Sequence, residues 1–90
     1  MININIIFKA YKKHSEKALK VFEFADGANV FEIMSHCCNE FDLPTPVILE
    51  KHNRYFAEMF PVKFFNEDFL ESIPYDALEI EIFEEDENKK

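Results

Sequence analysis

The chain opens with a regular alternation of apolar and polar residues. Every second residue is apolar at the start: Ile2, Ile4, Ile6, Phe8 and Ala10. A period of two is typical of a strand that buries one face. The polar segment KKHSEK follows, and ALKVFEF then predicts a second strand that ends at Asp26 and Gly27. Because the link between these strands is short, an antiparallel hairpin is the expected connection.

The middle of the chain carries a helical pattern instead. Its apolar residues follow at i, i+3, i+4, i+7, i+8 and i+11: Val30, Ile33, Met34, Cys37, Cys38 and Phe41. Asn29 and Glu32 have the spacing of a capping box, so we expect an amphipathic helix that begins after Asn29. Pro44 and Pro46 cannot continue a helix, and they predict its end near Asp42.

Two further strands are expected after the helix. The runs PVILEKH and YFAEMF have the apolar content of strands. Asn53 and Arg54 stand between them, and Asn tolerates the positive φ that a tight hairpin demands. We therefore predict a hairpin in this region, closed by Pro61.

The remaining pattern completes an α+β protein. NEDFLESI predicts a short helical turn capped by Asn66, and ALEIEIF alternates as a final strand before EEDENKK, an acidic solvated tail at residues 84–90. This order of elements resembles the β-grasp or ubiquitin-like fold. The resemblance implies a single domain over residues 1–83, in which one helix covers a mixed sheet of four to five strands and the first and last strands pair in mid-sheet. A ferredoxin-like fold is the alternative, but it needs a longer second helix.

Composition and charge narrow the class of protein. At 90 residues, 48% hydrophobic and with one Gly, the chain is too apolar for a disordered protein. Its 18 acidic and 10 basic residues give a net charge of −8, which repels phosphate backbones, so we expect no nucleic acid as a ligand. The sequence shows neither a signal-peptide pattern nor an apolar run of spanning length. Adjacent Cys37 and Cys38 cannot bridge distant segments. A reduced, cytoplasmic setting without a membrane partner is expected.

The segment SHCCNEF raises a metal or nucleophile hypothesis, because His and Cys bind zinc and a Cys beside a His can act as a thiolate. On a helix, however, Cys37 points into the apolar stripe and Cys38 to its flank, while His36 lies on the polar side. The other histidines, His14 and His52, show no recognisable ligand spacing. Core packing of the cysteines is therefore favoured, and an enzyme centred on His36 and Cys38 is the least favoured hypothesis.

No other part of the sequence predicts catalysis or a cofactor. Most carboxylates fall on faces expected to be solvated. Gly27 alone cannot form a phosphate-binding loop, and Ser15, Ser35 and Ser72 lack the context of a nucleophile elbow. We therefore expect a protein that is not an enzyme, with no catalytic residue, no cofactor and no metal ion.

The aromatic stretch RYFAEMFPVKFF, residues 54–65, is the strongest candidate for function. It holds five rings: Tyr55, Phe56, Phe60, Phe64 and Phe65. On a strand, neighbouring rings point to opposite faces, whereas one helix covers only one face of a sheet. Some rings must then be covered by a loop or exposed to a partner. Because aromatic residues are enriched at protein interfaces, we predict that these rings contact a larger protein, with Lys51, His52 and Arg54 as a polar rim. Self-association is also open.

Several short motifs resemble a known family. They are His36, Cys37 and Asn39 in the helix, Lys51-His52, Phe60-Pro61 and the closing Phe83-Glu84-Glu85. Over residues 26–85 the chain resembles the small accessory B (gamma) subunit of toluene and related aromatic monooxygenases. The resemblance implies a ubiquitin-like, non-catalytic subunit docked on a large hydroxylase subunit, which itself holds the diiron site and the substrate pocket.

The acidic carboxyl half supports a different hypothesis. Residues 66–90 hold ten carboxylates and only two lysines. An inhibitor encoded by a phage or mobile element could use such a face to imitate nucleic acid and block a basic groove on its target. Salt separates the two hypotheses, because the binding of an acidic mimic weakens steeply with salt whereas an aromatic interface is largely insensitive to it.

Overall fold

A computed structural model describes residues 3–83 of the chain. The elements are β1 Asn3–Lys12, β2 Ser15–Ala25, α1 Val30–Glu40, α2 Glu50–Ala57, β3 Val62–Phe65, a 3₁₀ turn Asn66–Asp68 and β4 Ala77–Phe83. The strands form one sheet in the order β2-β1-β4-β3. The protein is thus of the predicted α+β class. The tail predicted at residues 84–90 lies outside the described residues.

The sheet confirms the predicted hairpin and the predicted central pair. β1 and β2 are antiparallel around a turn at Lys13 and His14, so strand structure extends into the segment predicted as a link. The first and last strands lie side by side, with Phe8 opposite Ile80. All three strand pairs in residues 3–83 are antiparallel, so the predicted mixed sheet is wrong.

The core lies between one face of the sheet and α1. From the strands it takes Ile6, Phe8, Ala10, Val62, Phe64, Leu78 and Ile80, and from α1 it takes Val30, Ile33, Met34, Cys37 and Cys38. Core packing of the cysteines is thus confirmed. Burial raises the pKa of both thiols to about 12, so neither forms a reactive thiolate at neutral pH. His36 is exposed, as predicted, and its ring lies edge-on to Phe22 and Phe24.

Local hydrogen bonds explain where α1 begins and ends. The Asn29 side chain accepts from the Glu32 N–H at 2.8 Å, and the Glu32 side chain accepts from the Asn29 N–H at 3.1 Å, which is the predicted capping box. At the other end, Asp42 has a φ of 57°. The Leu43 N–H donates to the Cys38 carbonyl at 2.8 Å. This is the closing bond of a Schellman motif.

The predicted hairpin of PVILEKH and YFAEMF is wrong. Residues 43–49 have no regular structure, and α2 spans Glu50–Ala57, so Asn53 and Arg54 lie inside a helix. The helix begins where the Leu49 N–H donates to Nδ1 of His52 at 2.9 Å. The strand in this region is β3, which starts directly after Pro61. NEDFLESI forms only the single 3₁₀ turn Asn66–Asp68.

Candidate functional site

The sheet face opposite the core carries an ordered polar cluster. The Tyr11 hydroxyl donates to a Glu79 carboxylate oxygen at 2.8 Å, which joins β1 to β4. That hydrogen bond is the main reason why the pKa of Tyr11 rises to about 12, and burial and nearby carboxylates add to it. Nζ of Lys63 lies 5.7 Å from the centre of the Tyr11 ring. Lys9 approaches Glu81 at 3.9 Å, as the predicted pairing of β1 with the last strand implies.

A groove of about 480 Å³ lies between α2 and this face of β3. We call it the aromatic groove, and its lining residues are Lys51, His52, Tyr55, Pro61, Lys63, Phe65 and Glu79. A second hollow of about 360 Å³ borders it and is lined by Tyr11, His14, Lys63, Phe65, Asp76 and Ala77. Lys63 and Phe65 line both. The two depressions are therefore adjacent on this face of the sheet.

Simple periodicities place the groove residues. Lys51 and Tyr55 are four positions apart on α2, so they share one face of the helix. β3 alternates, with Val62 and Phe64 in the core and Lys63 and Phe65 on the opposite face. The groove forms where these two faces meet.

Three of the five predicted rings are available for contact. Tyr55 is 43% exposed, Phe60 is 54% exposed and Phe65 is 48% exposed. Tyr55 and Phe65 line the groove, and Phe60 directly precedes its lining residue Pro61. The prediction for Phe64 is wrong, because β3 turns this ring into the core, where it is fully buried. Phe56 is half-buried because it packs against the core from α2, and its role in contact stays a prediction.

His52 does not belong to an exposed polar rim, and that prediction is also wrong. Its side chain is only 1% exposed, and its ring packs on Phe64 with 4.2 Å between centres. Nδ1 accepts the Leu49 N–H, whereas Nε2 has no hydrogen-bond partner within residues 3–83 and lies 4.0 Å from Oδ2 of Asp68. Burial lowers the pKa of His52 below 6.5, although Asp68 opposes the shift. The imidazole is therefore neutral at pH 7.

The exposed cations of the site differ in part from those predicted. Lys51 is exposed and lines the groove, while Arg54 is exposed but is not among its lining residues. Lys63 was missed. Its signal is the alternation within VKFF, which becomes readable once that segment is recognised as a strand.

The groove combines apolar and positively charged side chains. Tyr55 and Phe65 give it apolar walls, and Lys51 and Lys63 supply positive charge in a protein of net charge −8. Within residues 3–83, no three His, Cys, Asp or Glu side chains are grouped so that they could hold a metal ion. Over the same range, no helix is long and apolar enough to cross a membrane.

Comparison of the chain with protein-family models, with curated proteins and with solved structures returns no match.

Proposed function

We propose that this chain is a non-catalytic protein-binding domain and that the aromatic groove is its contact surface. The observation that carries the proposal is the exposure of Tyr55, Phe60 and Phe65 at or beside the groove. Large rings lose little conformational entropy on binding and are enriched in the centres of protein interfaces. Half-exposed rings beside a depression are therefore suited to hold a side chain of a partner.

The charges of the groove indicate which partner fits. Lys51 and Lys63 are both exposed, and Glu79 is already engaged by the Tyr11 hydroxyl. An apolar side chain between Tyr55 and Phe65, followed by a carboxylate near the two lysines, would match both features. The partner segment is accordingly apolar and acidic.

The family resemblance gives this proposal a narrower form. The partner is then the large diiron subunit of a multicomponent monooxygenase hydroxylase, and the present chain is an accessory subunit in the cytoplasm. This form rests on the short sequence motifs alone. The β-grasp fold, which the same resemblance implies, is not confirmed, because β1 and β4 are antiparallel and the sheet in residues 3–83 is not mixed.

The first experiment is affinity capture from an extract of the source cells, with the tagged full chain as bait and with partners identified by mass spectrometry. The affinity of the identified partner is then measured for three baits. They are the wild type, the double variant Tyr55→Ser/Phe65→Ser, and Phe31→Ser, which removes an exposed ring from α1. We expect the double variant to lose affinity by about tenfold or more, and the control to bind like the wild type.

Each alternative predicts a different result. Equal binding by the double variant and the wild type would refute the groove as the contact surface. Binding that disappears at high salt and after removal of residues 84–90 would instead identify an acidic mimic of nucleic acid. Capture of a partner other than a large carboxylate-rich diiron protein would remove the narrower form and leave the broader one intact.

A further inference from the structure

The strand β2, Ser15–Ala25, forms a long edge of the sheet. It spans 11 residues and pairs with β1 on one side, and no other strand in residues 3–83 pairs with it. The bond from the Ala28 N–H to the Ala25 carbonyl is the one further backbone bond found for this strand within that range. A row of free N–H and C=O groups on an edge strand is a template for another strand.

The opposite edge of the sheet is much less suitable. β3 has only 4 residues and runs directly into the 3₁₀ turn. The loop before α2 also lies against that turn, since the Val47 N–H donates to the Asp68 carbonyl at 2.8 Å. Strand addition is therefore favoured at β2.

Natural edge strands are commonly protected by proline, bulges or inward-pointing charges. β2 contains no proline, and its bulge is confined to Lys17, where the register shifts between the Ala10–Ala18 and Tyr11–Glu16 pairs. Lys20 points to the core side, but its ammonium lies 3.4 Å from Glu40 and 5.1 Å from the centre of the Phe22 ring. The Lys20 ammonium is thus engaged by residues of its own chain and does not block the edge. The backbone of residues 18–25 is therefore free to pair with another strand.

The side chains of β2 also suit a partner strand. Leu19 and Val21 point away from the core and are 50% and 51% exposed. The strand carries two acidic residues, Glu16 and Glu23, and two basic ones, Lys17 and Lys20. The strand is therefore neutral within a chain of net charge −8, so its net charge does not oppose the approach of a second copy at this edge.

We propose that β2 pairs in antiparallel fashion with β2 of a second copy of this chain, with Val21 on the two-fold axis. The two four-stranded sheets then form one continuous sheet. Each Val21 lies opposite its own counterpart, each Lys20 opposite Phe22 and each Ala18 opposite Phe24. A register centred on Lys20 would instead place two ammonium groups opposite each other, which is destabilising.

The test is the mass of the full-length chain in solution, measured by sedimentation over a range of concentrations. We expect the wild type to form a concentration-dependent dimer. Val21→Lys and Val21→Glu should each be monomeric, because they place like charges opposite each other on the axis. An equimolar mixture of these two variants should restore the dimer, because Lys then faces Glu. The matched control is Val47→Lys, at an exposed valine of the loop before α2, which should dimerise like the wild type.

The proposal would be overturned by a wild type that stays monomeric at every concentration, by a Val21→Lys variant that still dimerises, or by a mixture of the two variants that stays monomeric. Loss of the dimer only in Tyr55→Ser/Phe65→Ser would also overturn it, because the aromatic groove would then be the contact between copies. Amide hydrogen exchange of the wild type provides a check without mutation. Exchange in residues 18–24 should slow as the protein is concentrated, and unchanged exchange would contradict the proposed pairing.

Discussion

Several turns and helix ends of this chain depend on single residues in the left-handed backbone region. Among residues 3–83, four non-glycine residues have positive φ: Lys13, His14, Asp42 and Met59. A chain with one Gly has to place other residues at its turns and helix ends, at a cost of about 1–2 kcal/mol for each such residue. Met59 follows the last turn of α2, where the Phe60 N–H donates to the Tyr55 carbonyl at 2.9 Å, as in a Schellman motif.

Met59→Gly should therefore raise the free energy of unfolding by about 1 kcal/mol, because Gly adopts this φ without strain and the half-exposed Met side chain loses little packing. Urea denaturation measures the change. Asn53→Gly is the matched control at an exposed position in the middle of the same helix, and it should lower stability, by up to about 1 kcal/mol. A loss of stability in Met59→Gly would show that the side chain contributes more than the backbone strain costs.

The same residue accounts for the main error of the sequence analysis. A Gly after Ala57 would have indicated the end of a helix. With Met59 at that position instead, the segment YFAEMF has the apolar content of a strand. Phe64 and Phe65 could not be assigned to opposite faces until β3 was recognised, and a strand of 4 residues offers too few positions for a periodic signal. Tyr55 and Phe65 were nevertheless predicted as contact residues. The sequence shows that this segment is rich in aromatic residues, although it does not show which way each ring points.

Among the elements, α2, β3 and the 3₁₀ turn meet at His52. Its Nδ1 accepts the Leu49 N–H at the start of α2, its ring lies on Phe64 of β3, and its Nε2 faces Asp68 of the turn at 4.0 Å. The elements with strong local signals, β1, β2, α1 and β4, were all predicted. α2 was missed because its first turn is closed by a histidine at the position where a capping box has Glu or Gln.

The burial of His52 makes the stability of this junction depend on pH. Because burial lowers the folded-state pKa below the ordinary 6.5, the unfolded chain takes up the proton first as the pH falls. The contribution of His52 to the free energy of unfolding is full above pH 6.5, and it declines as the pH falls from there towards the folded-state pKa. His52→Asn keeps an acceptor for the Leu49 N–H but removes the titrating group. The stability difference between wild type and variant should therefore shrink from about pH 7.5 to about pH 5.5.

Urea denaturation at both pH values measures this difference. The charged groups that affect the pKa of His52 are Lys51 on α2 and Asp68 on the turn, and both remain in the variant. His36→Asn, at an exposed histidine of α1, is the control variant. A constant difference between wild type and His52→Asn at the two pH values would contradict the prediction.

At the scale of the whole molecule, the fold depends on the middle of the sheet. Ile80 of β4 lies between Phe8 on β1 and Val62 on β3, and all three are fully buried. β1 and β2 form a local hairpin, but β4 joins that hairpin to β3 across the whole chain. The core is therefore continuous only when β4 is in place.

Ile80→Ala should lower the free energy of unfolding by about 2–5 kcal/mol, because it leaves a cavity at the centre of the core. Such a loss is a large part of the roughly 5–15 kcal/mol that stabilises a typical domain. Ile82→Ala, two positions along the same strand and only half-buried, is the control and should cost less. Equal losses at both positions, measured by urea denaturation, would show that the centre of the sheet is not the tightest part of the core.

The pairing of β1 with β4 also has a consequence for the making of the protein on the ribosome. The β1–β2 hairpin leaves the exit tunnel before β4 does, and the inner edge of β1 has no neighbouring strand until residues 77–83 have been synthesised. Throughout that interval the backbone groups along that edge of β1 have no strand to pair with. The described fold can therefore be completed only after residues 77–83 have been translated, and before then the unpaired edge of β1 is a surface of the kind that aggregates unless it is protected.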